Sequence, residues 1–401
     1  MKTERLFFQM NDTKPMPPFR EIAWDCRFLL GDRPCVWHKR KGALCTCEHY
    51  ERVEERLLIV KLDAMGDVLR STALLPTLNE AHPRAAITWI TRKESVPLLT
   101  RNPYVTEVLE LGPEALVQLQ TRTFDRVINL DASKTSAALA TAARSVRKDG
   151  FVLDDGGRVR PTNDAARRWL EAGLFDDVKR QGTATYQDRM AEILGLGGHA
   201  HRYVFELGDD ERARAKAHLE SLGLGEGPPI IALNTGAGGR WPLKQWREDG
   251  YVELIRRLSV NQDVRFLLLG GPSEEQRNER LKSASAVRLF DPGCQNPVRH
   301  FGALLDRCDV VVTGDTLAMH LALALKKRSV VLFGPTSAAE IELYGLGEKV
   351  VPDMACLSCY KTACDFSPNC MDLISVDMVE GAVLRQLEVA RRLRSDALAS
   401  V

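Results

Sequence analysis

A single carboxylate stands in the turn that follows the first strongly apolar run of the sequence. The stretch LLIVKLDAMGDVLRST, residues 57–72, begins like a strand, turns at Gly66 and continues as a helix with Asp67 at its start. Parallel α/β domains hold ligands at such turns, and turns that bind phosphate offer glycines and backbone N–H groups. This turn offers a carboxylate instead. Taken alone, it favours Asp67 as a helix cap, with a chemical role as the alternative.

Glycines and basic residues cluster after a later apolar run. NTGAGGRWPLKQW, residues 234–246, contains Gly236, Gly238 and Gly239, followed by Arg240 and Lys244. Glycines ahead of a helix let N–H groups close on an anion, which the helix dipole also attracts. The pattern predicts an anion-binding loop, with a flexible turn as the alternative. Because the P-loop pattern is absent and the first turn lacks G-x-G-x-x-G, a P-loop ATPase and an NAD-dependent dehydrogenase are both disfavoured.

Two more turns of the same kind follow. VVVTGDTLAMHLALAL, residues 310–325, reads as a strand that ends at Asp315 and Thr316 and leads into an apolar helix carrying His320. Both Asp315 and His320 could face a cleft, although a lone histidine in such a helix is commonly structural. Residues 330–340 repeat the strand, turn and helix plan. Several ligand-ready turns in one half of the chain indicate a binding site there.

Eight of the ten cysteines fall into two groups. CLSCYKTACDFSPNC supplies Cys356, Cys359, Cys364 and Cys370, and the second group is Cys26, Cys35, Cys45 and Cys47, with His38 and His49 nearby. Four thiolates this close in sequence suit a tetrahedral zinc or iron ion. For the second group, we hypothesise a second metal site or an iron–sulfur cluster. Unliganded thiols remain the alternative for both groups, while Cys294 and Cys308 read as core residues.

The elements that must position these residues alternate between strands and helices. The predicted strands are 57–62, 87–91, 125–131, 230–234, 264–270, 310–314 and 329–334. The predicted helices are 133–145, 164–173, 243–259, 273–283, 297–306, 316–325 and 377–394. This alternation predicts parallel sheets with helices on both faces. The expected organisation is a cysteine-rich extension (1–54), two Rossmann-like domains (55–205 and 206–376) and a C-terminal helix (377–401).

Composition narrows the class of protein. The chain has 401 residues, 44% of them hydrophobic and 27% charged, with a formal net charge of +1. A near-neutral chain gives no reason to expect nucleic-acid binding. No apolar run approaches the roughly 20 residues that cross a bilayer, and the first residues lack the apolar core of a signal peptide. We therefore expect a cytoplasmic protein, in which lasting disulfides are rare.

Four stretches in this order resemble the family 9 glycosyltransferases, the ADP-heptose heptosyltransferases. They are LLIVKLDAMGDVLRSTALLPTL, NTGAGGRWPLKQW, GDTLAMHLALAL and VVLFGPTSAAEIELYG, and the similarity spans about residues 55–395. The resemblance implies a GT-B fold, in which two Rossmann-like domains face a central cleft. It also implies that the N-terminal domain binds the acceptor and the C-terminal domain the nucleotide-sugar. The family inverts the anomeric centre and requires no divalent metal.

The resemblance also assigns residue roles. Asp67 matches the family's catalytic aspartate, which takes a proton from the attacking hydroxyl. The donor-binding residues it implies are Thr235, Gly236, Gly238, Arg240, Lys244, Glu274, Asp315, Thr316 and His320, with Glu275 as the alternative to Glu274 at the ribose. Two departures stand out. Leu317 replaces the glycine of the family's donor turn, and Arg240 only approximates the family's loop lysine.

The expected function is transfer of a heptose from ADP-heptose to an acceptor hydroxyl, most simply on a lipopolysaccharide core. A protein acceptor, as in the autotransporter heptosyltransferases, is one alternative, and a non-catalytic metal-binding assembly protein is another. The resemblance suggests an iron-binding finger for Cys356 to Cys370. Neither cysteine group is expected to approach the reacting groups. Peripheral membrane association is compatible with a glycolipid acceptor, and the sequence does not encode a readable oligomeric state.

Overall fold

The computed structural model describes residues 20–197, 202–239 and 241–399. The chain divides into two compact units, residues 1–54 and residues 55–401. Within the described ranges, every helix is too short or too polar to span a lipid bilayer.

The described part of the first unit has little buried surface. None of its described residues, 20–54, is fully buried. Their regular structure is helix α1 (Val36–Lys41) and an isolated antiparallel bridge between Cys26 and Arg52. Cys35 caps α1, where its Sγ accepts the backbone N–H of His38 at 3.4 Å. Because its described residues bury no side chain fully, the cysteines are the candidate groups to stabilise this unit.

The second unit begins with a six-stranded sheet in what we call the first half, residues 55–197. Its strands are β1 (Glu55–Val60), β2 (Ala85–Thr91), β3 (Glu107–Glu110), β4 (Thr123–Asn129), β5 (Arg144–Leu153) and β6 (Val159–Pro161). Their order is β3-β2-β1-β4-β5-β6, and only β6 runs antiparallel to its neighbour. The helices are α2 (Met65–Ser71), α3 (Leu75–Ala81), α4 (Val96–Leu99), α5 (Pro113–Thr121), α6 (Lys134–Ala142), α7 (Asp164–Leu174), α8 (Asp176–Arg180) and α9 (Tyr186–Leu194).

The second half, described over residues 202–239 and 241–399, contains another six-stranded sheet. Its strands are β7 (Ile230–Asn234), β8 (Arg265–Leu269), β9 (Leu289–Phe290), β10 (Val310–Gly314), β11 (Arg328–Leu332) and β12 (Gly347–Val350). All of its neighbouring strands are parallel. The helices are α10 (Asp209–Ser221), α11 (Glu248–Asn261), α12 (Glu275–Ala284), α13 (Val298–Asp306), α14 (Leu317–Ala324) and α15 (Val376–Ala399).

Both sheets have the same strand order. Read from its other edge, the second sheet is β9-β8-β7-β10-β11-β12, which repeats the pattern of the first. In each sheet the order reverses beside the first strand, between β1 and β4 and between β7 and β10. Open parallel sheets bind ligands at the carboxyl ends of the strands at this point. The turn carrying Asp67 follows β1 and the glycine-rich loop follows β7, so the topology places both at such points.

Helices cover both faces of the sheets, which explains the apolar strands. The residues of β7 and β10 are all buried, as are four of the six residues of β1. Helix α15 packs into the core of the second half through Val379, Val383 and Leu387. The segment expected to be a separate C-terminal helix is therefore part of that domain's core.

The predicted alternation is confirmed, with differences at the element ends. The helix expected at 243–259 begins at Glu248, because Pro242–Lys244 forms a short 3₁₀ turn. The helix expected at 133–145 ends at Ala142, because β5 begins at Arg144. Strands β3, β5, β6, β9 and β12 were not predicted, since they are short, charged or only partly buried.

Candidate active site

A cavity of about 960 Å³ lies where the two halves face each other, lined by turns that follow strands of both sheets. The predicted residues that line it are Asp67, Gly236, Gly238, Lys244, Glu274, Asp315, Thr316 and His320. Thr235 is buried outside this lining, and its hydroxyl donates to Asn278 at 2.6 Å. Arg240 lies outside the described residues.

Asp67 both caps a helix and faces the cavity. It lies in the first turn of α2, where Oδ2 accepts the backbone N–H of Ala64 at 3.2 Å. Its Oδ1 lies 2.9 Å from a guanidinium nitrogen of Arg70, one turn further along α2. Arg70 is held in turn by the ring of Tyr186, 3.7 Å from its guanidinium carbon. The two interpretations of the sequence, cap and cleft-facing carboxylate, are therefore compatible.

The surroundings of Asp67 keep it ionised. Burial would raise the pKa of Asp67, but the charges of Arg70, Lys61 and His320 and the Ala64 hydrogen bond outweigh it and lower the pKa to about 2. The side chain keeps 35% of its surface exposed to the cavity. A carboxylate that is ionised and accessible can accept both a hydrogen bond and a proton from a bound hydroxyl.

A buried ion pair supports the turn that carries Asp67. The ammonium of Lys61 pairs with the carboxylate of Asp131, which follows β4, and also donates to the carbonyl of Asp63 at 2.8 Å. The other oxygen of Asp131 accepts the backbone N–H of Leu62 at 2.6 Å. Because Lys61 lies after β1, the pair joins the carboxyl ends of the two strands at which the sheet order reverses.

Glu274 shapes the glycine-rich loop. One of its oxygens accepts the N–H of Gly271 at 2.8 Å, and the other accepts the N–H of Gly238 at 3.3 Å. A Cβ at Gly236 would lie 2.0 Å from Cγ of Glu274, so a side chain there would collide with it. Gly238 has φ +67°, in the left-handed region that favours glycine. The loop thus depends on both glycines, and contact of Glu274 with a ribose remains a prediction.

The turn after β10 carries a second carboxylate and a cation. Asp315 Oδ2 lies 2.8 Å from the ammonium of Lys244, which also donates to the Asp315 carbonyl at 3.0 Å. Burial would raise the pKa of Asp315, but Lys244 and His320 outweigh it and lower the pKa. Thr316 caps α14, and Leu317, which replaces the family's glycine, lines the cavity. Lys244 is therefore fixed beside the glycine-rich loop.

His320, on α14 of the second half, packs against Gly66 on α2 of the first half. A Cβ at Gly66 would lie 2.6 Å from Cδ2 of the imidazole, so α2 and α14 meet closely only because residue 66 is glycine. Burial, together with the charge of Arg70, lowers the pKa of His320 to about 4, so the ring is neutral near pH 7. Its Nδ1 is buried without a hydrogen-bond partner among the described residues. A neutral imidazole here can hydrogen-bond to a ligand.

The sequence did not reveal several residues that line the cavity, among them Arg70, Lys179, Trp241, Glu340 and Tyr360. Arg70 follows Asp67 by one helical turn, a spacing that could have signalled an ion pair. Tyr360 lies between Cys359 and Cys364 and brings the C-terminal cysteine loop to the cavity wall, although the four cysteines themselves are not among the lining residues. The other residues reach the cavity through tertiary structure alone.

No disulfide joins any of the ten cysteines, all of which lie in the described residues. Among residues 20–197, 202–239 and 241–399, no three histidine, cysteine or acidic side chains are arranged to hold a metal ion. Burial raises the pKa of Cys370 to about 11, and the neighbouring Cys359, Cys364 and Cys356 add to that effect. The C-terminal quartet is thus gathered in one loop without forming a closed site.

The cavity combines complementary groups on opposite walls. The first half presents an ionised carboxylate, Asp67, and the second half presents the glycine-rich loop and the cation Lys244. N–H dipoles and a cation stabilise charge that grows on a leaving phosphate. A carboxylate across the cavity can accept a proton from an attacking hydroxyl. The arrangement suits transfer of a group from a nucleotide to a hydroxyl.

Sequence comparison points to the same chemistry. The model of glycosyltransferase family 9 (heptosyltransferase) matches residues 115–369. Lipopolysaccharide heptosyltransferase 2 of Salmonella typhimurium is 25% identical over 303 residues, which cover 70% of this chain and 83% of that protein.

Solved structures show that the fold is GT-B, as predicted. ADP-heptose lipopolysaccharide heptosyltransferase II of Escherichia coli superposes with a TM-score of 0.65 at 19% identity, covering 84% of this chain and 99% of that one. The iron-containing dodecameric glycosyltransferase TibC of enterotoxigenic Escherichia coli gives a TM-score of 0.51 at 13% identity, covering 84% of this chain and 77% of that one.

Replacing Arg70 by Met should make turnover more sensitive to acid. The substitution removes the nearest cation from Asp67 while burial remains, so the pKa of Asp67 should rise and the carboxylate should protonate at a higher pH. Because the pKa of Asp67 is about 2, we expect the acid side of the pH–rate profile, measured from pH 2 to 7, to move upward by about one unit or more. The matched control is Arg167→Met, since Arg167 pairs with Glu171 on an exposed face of α7. An unchanged acid side would show that Arg70 does not control Asp67.

Proposed function

Because the chain belongs to glycosyltransferase family 9, we propose that this glycosyltransferase moves a heptose from ADP-heptose to a hydroxyl of the lipopolysaccharide core. The observation that carries the proposal is that Asp67 from the first half and the glycine-rich loop and Lys244 from the second half line the same cavity. The names of the matched family and of the relatives support heptose as the sugar. The relatives' names also support the lipopolysaccharide acceptor.

The proposed reaction inverts C1 of the sugar in one displacement. The acceptor oxygen attacks C1 from the face opposite the diphosphate, the new C–O bond forms, and the bond from C1 to the phosphate oxygen breaks. Asp67 accepts the proton of the hydroxyl, and ADP leaves with the bonding electrons. As the new bond forms, the attacking oxygen becomes strongly acidic, so even a carboxylate of low pKa can accept its proton.

The leaving diphosphate needs positive charge. We propose that the N–H group of Gly236, together with Lys244, stabilises it without a catalytic metal ion. Preorganised donors of this kind act where charge develops in the transition state. His320 is neutral and buried at the same wall, and it is placed to donate or accept a hydrogen bond near the reacting groups.

Replacing Asp67 by Asn tests both the reaction and its base. The amide keeps the shape but cannot take a proton, so kcat for ADP-heptose should fall by about 10²- to 10⁴-fold while ADP affinity stays near normal. The control is Asp63→Asn on the same turn, since Asp63 pairs with Arg92 and is not among the lining residues. Release of ADP should be measured with lipopolysaccharide core and with a protein acceptor. A kcat within a few-fold of wild type would leave Asp67 with only its capping role.

Replacing Gly238 by Val tests the donor loop. Gly238 has φ +67°, and a valine there would strain the loop and crowd the bound phosphates. We expect ADP to bind at least tenfold more weakly by calorimetry. Gly345→Val is a matched control, because Gly345 has φ +70°, open surroundings and no place in the cavity lining. Equal ADP affinity in the two variants would contradict the proposed diphosphate site.

We also propose that the C-terminal cysteine quartet holds one structural zinc or iron ion. The four thiols lie in a single loop and influence one another electrostatically, and TibC, a structural neighbour, contains iron. Since the described side chains do not form a closed site, binding would require the loop to contract around the ion. Thiolates suit either metal, and its binding energy would add to folding energy.

Cys359→Ser should lower metal content and melting temperature together. Elemental analysis of protein purified without oxygen should find about one zinc or iron per chain in the wild type and little in the variant. Cys294→Ser is the control for metal content, because Cys294 is buried elsewhere in the second half. A metal-free wild type of normal stability would contradict the proposal and leave these residues as ordinary thiols.

A further inference from the structure

The loop between β12 and α15 forms part of the cavity wall. Three hydrogen bonds fasten it to the turn that follows β11: the N–H of Ser358 donates to Gly334 at 3.1 Å, the N–H of Tyr360 donates to Pro335 at 2.8 Å, and the Tyr360 hydroxyl accepts the N–H of Ser337 at 3.1 Å. The chain there is closely packed, since a Cβ at Gly334 would lie 2.6 Å from the sulfur of Cys370. The cysteine loop therefore has a fixed position beside the cavity.

The backbone of this segment is strained. Ser358 has φ +59° and Tyr360 has φ +53°, both in the left-handed region that residues other than glycine rarely occupy. Such conformations persist only where surrounding contacts impose them, and they are frequent at functional sites. The contacts that impose this one are the hydrogen bonds to the β11 turn. Their effect is to point the side chain of Tyr360 into the cavity.

Tyr360 and Trp241 make an aromatic corner in the cavity lining. Their ring centroids are 6.5 Å apart and the rings are nearly perpendicular, at 77°. The Tyr360 hydroxyl donates to the carboxylate of Glu340 at 3.2 Å, and the ammonium of Lys179 lies 3.3 Å from the centre of its ring. Because Lys179 belongs to the first half, the ring face that it covers looks across the cavity.

An aromatic corner edged by hydroxyls and a carboxylate suits a sugar. Aromatic rings offer a large, rigid apolar surface for the C–H face of a pyranose, and precisely oriented polar groups then fix its hydroxyls. Ser337, Glu340 and Asp315 also line the cavity, and the first two contact the Tyr360 hydroxyl. The flexible side chain of Lys179 can give way to an entering ring.

The position of the aromatic corner in the second half also suits a sugar attached to a diphosphate on the glycine-rich loop. Trp241 follows the glycine-rich loop directly in sequence, and Glu340 is close enough to raise the pKa of Arg70, the partner of Asp67. A diphosphate on the loop would therefore direct its sugar toward the corner and toward Asp67. We propose that Tyr360, with Trp241, forms the subsite that positions the transferred sugar of the nucleotide donor. This inference rests on the proposed function.

The alternative role of Tyr360 is purely structural, as an anchor for the cysteine loop. A comparison of two ligands separates the roles, because ADP lacks the sugar and ADP-heptose has it. Calorimetry should be performed without acceptor on the full chain, as wild type and as Tyr360→Ala, Tyr360→Leu and Tyr360→Phe. Phe366→Ala is the matched control, since Phe366 lies in the same cysteine loop, is 56% exposed and is not in the lining.

We expect Tyr360→Ala to bind ADP within twofold of wild type and ADP-heptose about tenfold more weakly. Tyr360→Leu keeps apolar volume and replaces the alanine variant if that variant does not fold. It should show the same result, near-normal affinity for ADP and weaker affinity for ADP-heptose. Tyr360→Phe should retain most of the affinity, and Phe366→Ala should match wild type for both ligands.

Equal weakening for both ligands, or no change for either, would overturn the subsite. The subsite would also be overturned if the wild-type chain bound ADP-heptose no more tightly than ADP. A wild type that binds neither ligand would overturn the proposed function, and the subsite with it.

Discussion

The buried pair of Lys61 and Asp131 is the interaction on which the cavity wall that carries Asp67 depends. It joins the carboxyl ends of β1 and β4, and Asp131 also holds the backbone N–H of Leu62. Removing one member would leave an uncompensated buried charge, which is strongly destabilising. In the second half, neutral groups join the corresponding strands. The Asn234 amide at the end of β7 donates to the hydroxyls of Thr313 at 3.1 Å and Thr316 at 3.3 Å, and both threonines border the turn after β10. In each sheet, these contacts therefore hold together the two strands at which the strand order reverses, next to the turns that line the cavity.

The two halves meet through contacts that leave the cavity open while fixing its walls. Gly66 against His320 sets the approach of α2 to α14. At a second place, Arg299 of α13 donates to the carbonyls of Pro97 and Thr100 at 3.0 and 3.2 Å and pairs with Glu211. Hydrogen bonding to Arg299 is the main reason that the pKa of Glu211 falls to about 2. Contacts of this kind are discrete, so a change in the angle between the halves would have to break them together.

The sequence predicted the alternating elements and the main cavity turns because these features are local. Buried strands such as β7 and β10 read as apolar runs, and Asp67 and Asp315 follow such runs directly. The partly exposed, charged strand β5 gave no such signal. Arg70, Lys179 and Tyr360 could not be assigned to the site in the same way, because their roles come from tertiary contacts. Tyr360 stands within the C-terminal cysteine stretch, and hydrogen bonds to the turn after β11 hold that segment at the cavity.

The charges of the cavity limit how the proposed base, Asp67, could work. Arg70 keeps Asp67 ionised and oriented, but a low pKa also makes it a weak base toward an ordinary alcohol. Deprotonation before attack would therefore be unfavourable. The proton can move only as the bond to C1 forms and the acidity of the oxygen rises, so bond formation and proton transfer must be coupled. Such coupling requires the transferred sugar, the acceptor hydroxyl and the Asp67 carboxylate to be aligned at the same time, since a small misplacement of reacting groups strongly lowers the rate. A rigid base and a firmly held sugar are then two requirements of one mechanism.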